Sequence, residues 1–323
     1  MAALTGVINT SMTAGNLDSS RISEVFNLKF LQHIEQKIVL ANLVEQFDLP
    51  RNAGSLTMRF FRRGAANVDN VRSLTEGTPL TTFTHGTLEN VEVTLAQYGD
   101  QTKITDTRVA TDLIRQMELE TARLGEEAAL HLDKQIRDAM YTSLTDGANS
   151  AQLIDATTRS AGSRGIKAAD LDKAATLLSE NDAKPLDGGA YVAVVSPRQA
   201  YDLRRDTDWQ NVANYSDKEK IYSGEIGKLF NVKVVVANNP KTFTHNTSLT
   251  GHAAFVFGKE FAGTVKLAGS NSPMKPQLIY NDQPDKSDPM NLYNVVAWKA
   301  WYASLVLQPK FGVLIKSDRN LLA

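Results

Sequence analysis

Cysteine is absent from the 323 residues, which removes disulfides, thiolate metal sites and cysteine nucleophiles together. There is no charged-then-apolar leader and no apolar run of about eighteen residues, so neither secretion nor membrane spanning is expected. Surplus charge is missing too, since 35 basic and 36 acidic side chains leave a formal charge of -1. A protein that works by neutralising many phosphates needs a basic excess. If nucleic acid is a partner, this chain is expected to contain it rather than to grip it. Internal repeats, heptad runs and low-complexity tracts are lacking as well, while the length leaves room for two lobes around a substantial core.

Patterns that carry chemistry are equally scarce. His33, His85, His131, His245 and His252 share no i, i+4 spacing of a helical metal pair. His131 falls near the apolar stripe of a helix, where a hydrogen-bonded structural role is expected. Gly224-Glu225-Ile226-Gly227-Lys228 lacks the four-residue spacer of a phosphate loop and the hydroxyl after its lysine. It reads as a turn into a strand at Val232. Ser196 has no nucleophile-elbow glycines, and Ser196-Pro197 instead opens a helix, with proline suited to the first turn. Acidic residues do not follow the spacing of a calcium loop. No catalytic residue, cofactor or metal is therefore assigned.

What is present, first, is a long helical pattern. Asp106 is a good N-cap, and Val109, Leu113, Met117, Thr121, Leu124, Ala128, Leu132, Ile136, Met140 and Leu144 recur in steps of three or four before Asp146-Gly147. One rod over residues 106–144 would be about 57 Å long. Gly125 marks a bend, a close approach, or simply a tolerated helix glycine.

Ahead of it, residues 1–20 are small and polar and read as an extended arm. Residues 21–49 read as a mostly helical apolar patch ending at Pro50, with no core of its own nearby. Leu56, Met58 and Phe60, then Val91, Val93 and Leu95, alternate with other residues at the period of strands. They predict a long two-stranded ribbon over residues 54–105. A lone ribbon is marginal in water, so the expectation is that it rests on a neighbouring copy. A hairpin seated on its own subunit would count against that. Arg59, Arg62, Arg63 and Arg72 against Glu76, Glu89 and Glu92 would suit charge matching across such a contact. The alternative is a solvated hairpin whose charges only guard its edges.

After the rod, helices over 168–181 and 197–205 alternate with strands over 191–195, 226–236 and 254–257, predicting an inserted α/β lobe. Residues 206–223 form an irregular charged loop. Strands over 263–280, 292–302 and 311–315 follow. Trp298, Trp301 and Tyr302 read as core aromatics rather than a ligand platform.

This order of parts resembles the major capsid protein of tailed bacteriophages, the Hong Kong phage fold. Residues 97–100 (QYGD), 195–204 (VSPRQAYDLR), 224–230 (GEIGKLF), 257–260 (FGKE) and 297–302 (AWKAWY) are similar to the subfamily typified by the N-four type phages. The resemblance implies an α+β chain divided into an N-terminal arm (1–53), extended hairpin loop (54–105), spine helix of a peripheral domain (106–150), axial domain (151–257), returning strands (258–305) and closing strand (306–323). It further implies a structural, non-enzymatic coat protein that assembles into pentamers and hexamers of an icosahedral shell around double-stranded DNA, in the cytoplasm of a bacterial host. A separate scaffolding protein, a portal and a possible decoration protein are the expected partners, and no membrane. Phe26, Phe30, Trp209 and Tyr215 join the charged ribbon residues as subunit-contact candidates. Some members of that family weld neighbours through a lysine in the extended loop; here none occurs between Lys37 and Lys103, so a non-crosslinked shell is expected. The competing readings are an encapsulin-like nanocompartment shell and an α/β enzyme.

Overall fold

The computed structural model describes residues 38–50, 54–62, 73, 76–77, 88–111, 116–160, 163–186, 189–207, 209, 227–246, 249–268, 277–281 and 288–318. In chain order the described elements are β1 (Glu45–Leu49), β2 (Thr57–Arg62), β3 (Glu89–Thr94), β4 (Ala96–Thr105), α1 (Asp106–Thr111), α2 (Gln116–Thr145), β5 (Leu153–Asp155), α3 (Ala168–Glu180), β6 (Tyr191–Val195), α4 (Pro197–Arg205), β7 (Gly227–Leu229), β8 (Val232–Val236), β9 (Lys241–Asn246), β10 (Leu249–Phe257), β11 (Ala262–Leu267), β12 (Gln277–Asn281), β13 (Tyr293–Val306) and β14 (Gly312–Ser317). The mixture of helix and strand is the α+β class expected.

The chain forms two compact units. In the first, made from the described parts of Gln97–Leu130 and Ser270–Ala300, β12 runs antiparallel to the first half of β13, with Ile279 opposite Ala297. β4 also pairs with β13. Gly99 of β4 passes so close to this strand that a Cβ there would lie 2.4 Å from the Trp298 carbonyl oxygen. Only a glycine fits that approach.

The second unit contains a seven-stranded sheet in the order β5-β14-β10-β6-β8-β7, with β9 also on β10. β6 reads Tyr-Val-Ala-Val-Val and is buried throughout, as a strand covered on both faces must be. On one face Ala193, Val195, Val232, Val234, Ala254, Val256, Val313 and Ile315 pack with Leu171, Ala174 and Leu178 of α3 and Ala200 and Leu203 of α4. Truncating a side chain such as Leu171 there would cost about 2–5 kcal/mol. Against the other face lies α2, whose Arg137 sits beside Val194, Ala253 and Phe255. The same unit holds a second set of strands, with β1 parallel to β11 and β11 antiparallel to the second half of β13.

Several elements differ from their sequence reading. Of the rod read over 106–144 the structure describes α1 and α2, residues 112–115 lying outside the described residues; no residue of α1 is buried, and Val109 is exposed. α2 itself is 30 residues, about 45 Å, and Thr121, Leu124, Ala128, Leu132, Ile136, Met140 and Leu144 on its stripe are all buried. The helical patch before Pro50 ends as strand β1 instead, because β11 supplies a parallel backbone ladder from Glu45↔Gly263 to Leu49↔Leu267. The single strand read over 226–236 is a hairpin, β7 and β8, turned by Phe230 and Asn231 at φ 48° and 61°. Positive φ at both turn positions matches the hairpin twist, and phenylalanine gives no sequence signal for it. The strand read over 263–280 is two strands, β11 and β12. β4, β5 and β9 were not read as separate strands.

Candidate subunit interface

The hairpin of β2 and β3 has the alternation its sequence demands. Met58 faces Val93 and Phe60 faces Val91, and all four turn to one side. Leu95 N–H donates to the Leu56 carbonyl at 2.9 Å and closes the stem. The bed beneath is Leu49, Leu95, Val265 and Leu305, with Phe47, Leu267, Trp301 and Leu307 around them. Phe47 and Phe60 meet edge to face at 4.9 Å, a geometry worth about 0.5–1.5 kcal/mol beyond area burial. Arg62 then ties the stem down, donating from Nη1 to the Leu307 carbonyl at 3.3 Å and to Gln308 Oε1 at 3.2 Å. The stem therefore rests on its own subunit, which overturns the expectation that the chain offers the ribbon no support. Its tip lies outside the described residues, apart from Ser73, Glu76 and Gly77.

The charged candidates are also placed differently. Arg59 pairs with Glu92 at 2.8 Å and Arg62 with Glu89, each directly across the hairpin. These ions match each other within the stem, where exposed pairs contribute about 0–1 kcal/mol. Glu76 is exposed at a turn, while Arg63, Arg72, Phe26, Phe30 and Tyr215 lie outside the described residues. Trp209 is 8% exposed and belongs to the core under α3 and α4. It is a packing residue of its own lobe, buried in the same apolar cluster as Leu171, Ala200 and Leu203. What the stem does present outward is Phe61, 69% exposed, with Leu88 exposed beside the start of β3.

Two charged anchors escaped the sequence reading. Asp133 on α2 is 4% exposed and takes three backbone N–H groups, those of Val39 at 2.8 Å, Leu40 at 3.3 Å and Ala41 at 3.2 Å. Burial pushes its carboxyl above the ordinary value, against the pull of those donors and of Arg137. Arg137 in turn gives Nη1 to the Asn239 carbonyl at 3.1 Å, Asn239 Oδ1 at 2.8 Å and the Pro240 carbonyl at 3.1 Å, fixing the turn between β8 and β9. No local motif signals either contact, since the partners are far apart in sequence.

The residues weighed for chemistry have structural positions. Ser196 Oγ accepts from Gln199 N–H at 3.2 Å and Gln199 Oε1 accepts from Ser196 N–H at 2.9 Å, a capping box. His131 Nδ1 is 2.5 Å from the Tyr302 hydroxyl, the hydrogen-bonded role expected of it, and burial, then Lys134, lowers its pKa. Among the described residues no group of His, Asp or Glu is arranged to hold a metal ion, and no helix is long and apolar enough to cross a membrane.

Comparison with known proteins closes the description. A family model described as phage capsid protein matches residues 89–315, more than two thirds of the chain. The major capsid protein of Escherichia phage T5 is 22% identical over 228 residues, covering 68% of this chain and 48% of that protein. The chain thus spans about half the length of that relative. Among solved structures, the capsid asymmetric unit of cyanophage Pam1 superposes with a TM-score of 0.60 at 15% identity, covering 98% of both chains. The holo-SrpI encapsulin complex from Synechococcus elongatus does so at 0.56 and 8% identity, covering 96% of this chain and 92% of that one. At such identities the superpositions show the fold alone.

Proposed function

From the premise that the chain belongs to the phage capsid protein family, we propose that it is the major capsid subunit of a tailed phage, assembling into pentamers and hexamers of an icosahedral shell around double-stranded DNA. The family match carries this reading; an unsupported hairpin does not, because the stem has its own bed. What supports a shell contact is instead the outer face of the stem, which its own bed braces from beneath. Phe61 and Leu88 are the exposed apolar side chains there, suited to a heterologous contact repeated from copy to copy. The long helix α2 serves as the spine of a peripheral domain and the seven-stranded sheet as the frame of an axial domain. The role is structural rather than catalytic. A separate scaffolding protein, a portal and a possible decoration protein complete the assembly, which takes place in the bacterial cytoplasm.

The encapsulin likeness favours a second reading, a nanocompartment shell on the same fold. Negative-stain microscopy of the purified protein, with its ultraviolet absorbance ratio, separates the two. Large icosahedral particles that carry nucleic acid support the capsid. Small shells free of nucleic acid support the nanocompartment, and discrete small oligomers would overturn both.

A further inference from the structure

Successive side chains of β10 point to opposite faces of its sheet. Ala254 and Val256 pack with α3 and α4, whereas Ala253 and Phe255 lie beside Arg137 of α2. His252 therefore falls on the α4 face, directly opposite Ser317 of β14 and Thr242 of β9. The first turn of α4 is pinned at this point. Gln199 is 2% exposed, and its Nε2 donates to the His252 carbonyl at 3.0 Å and to Ser317 Oγ at 2.9 Å. Both ring nitrogens of His252 are sealed from solvent, and among the described residues neither has a hydrogen-bond partner. A neutral imidazole leaves one donor and one acceptor unmet there; a protonated one would leave two donors and a charge.

The neighbouring charges do not welcome a further proton. Arg198, exposed on the first turn of α4, is the charge that acts on the ring, and burial first and Arg198 second hold the pKa of His252 below the ordinary 6.5. On β14, Lys316 turns by alternation to the other face. Asp318, the residue after that strand, pairs with His245 of β9 and lies 4.0 Å from Arg164. Lys241 of β9 pairs with Asp138 at 3.0 Å. Asp202, one turn beyond Arg198, lines a groove with Lys167 and Arg205. Each of these carboxylates thus lies beside another cation.

We propose that His252 is a proton-operated latch for α4: with a neutral ring the first turn of the helix lies on β10 and β14, and protonation from solvent lifts it off. The proton adds to the bare ring nitrogen, and no covalent bond breaks. A charge without a partner is costly in a desolvated site, whereas lifting the turn hydrates both N–H groups and carries Arg198 away. The open form titrates at the ordinary value and the closed form below it. The latch is therefore complete above about pH 6.5 and weakens as pH falls toward the closed value, the opening equilibrium rising by at most about tenfold per pH unit. The inference concerns the folded lobe and does not rest on the shell reading.

Hydrogen exchange of the purified full-length protein at about pH 7 and about pH 5.5, corrected for the intrinsic exchange rates, tests the latch. The probes are the amides of Gln199 and Ala200, which donate to Ser196 Oγ and to the Ser196 carbonyl, with residues 171–178 of α3 read alongside. Wild type should lose protection at the α4 probes by up to about eightfold on acidification, while α3 holds. His252→Phe and the smaller His252→Gln, neither of which takes a proton, should each abolish that loss. His245→Gln, on the neighbouring strand, should keep it. Equal protection of wild type at both pH values, the same loss in the His252 variants, or its disappearance in His245→Gln would each overturn the proposal. So would a matching loss in α3, which would assign the acid response to unfolding of the whole lobe.

Discussion

Asp133→Ala is expected to destabilise the subunit by about 2–3 kcal/mol, a figure that follows from the contacts it removes. The carboxylate accepts the N–H groups of Val39, Leu40 and Ala41, and Leu40 and Ala41 are 3% and 1% exposed. Water can replace the acceptor at Val39 but not easily at the other two. An orphaned buried donor costs about 1–3 kcal/mol, and the total is offset in part because a desolvated carboxylate disappears. With typical stabilities of about 5–15 kcal/mol the variant still folds. Urea unfolding of unassembled protein measures the loss, and limited proteolysis should show new cleavage between residues 38 and 43. A loss under about 0.5 kcal/mol, the range of an ordinary surface change, would refute the anchoring argument. Asp133→Asn adds a test by pH. The folded carboxyl titrates above its ordinary 3.8 because burial outweighs the donors around it. A raised folded value contributes stability that is complete below the unfolded value and is lost as pH rises through the folded one. The advantage of wild type over the non-titrating variant should therefore narrow with rising pH across that window, and a widening advantage would contradict the assignment.

Phe60→Ala should cost about 2 kcal/mol, less than a fully buried phenylalanine because Phe60 is half-exposed, and should open the 57–62 strand to protease; unaltered resistance would remove the case for the bed. Gly99→Ala places a Cβ 2.4 Å from a backbone oxygen, so β4 must shift, at about 1–3 kcal/mol. A thermal midpoint equal to wild type would count against that close approach. His131 titrates below its ordinary 6.5, through burial first and Lys134 second. Its contribution is present above the unfolded value and is lost as pH falls through the folded one, so His131→Gln should flatten the acid side of the stability profile, and an unchanged profile would exclude the residue. Boiled mature particles should run as a single 35.4 kDa band, given the absence of lysine between residues 37 and 103; a covalent ladder would refute the uncrosslinked shell.

The features legible in the sequence were those that one segment settles alone. The stripe of α2 from Thr121 to Leu144 and the strands of the hairpin follow from spacing, and Ser196-Pro197 from local capping chemistry. The bed was not legible, because β1 and β11 meet through a ladder of residues far apart in sequence, from Glu45↔Gly263 to Leu49↔Leu267, and neither strand carries a sign of the other. Phe47 and Leu49 alternate with Gln46 and Asp48, a strand signal that the helical spacing of the preceding apolar residues masked. The cross-strand ion pairs were within reach, since placing Met58 opposite Val93 forces Arg59 opposite Glu92. Trp209 misled because its sequence neighbours are charged, whereas burial is decided by residues of α3 and α4. Asp133 and Arg137 gave no warning, as acid and base on a helix usually mean solvent.

The position of β14 in its sheet bears on biosynthesis. It lies between β5 and β10, yet it is the strand nearest the C-terminus of the described chain. Until Ser317 has cleared the ribosome, Leu153–Asp155 has no neighbour on which to add its backbone, and β10 has an open flank. The lobe of a nascent subunit thus stays incomplete until the last of its described strands has been made.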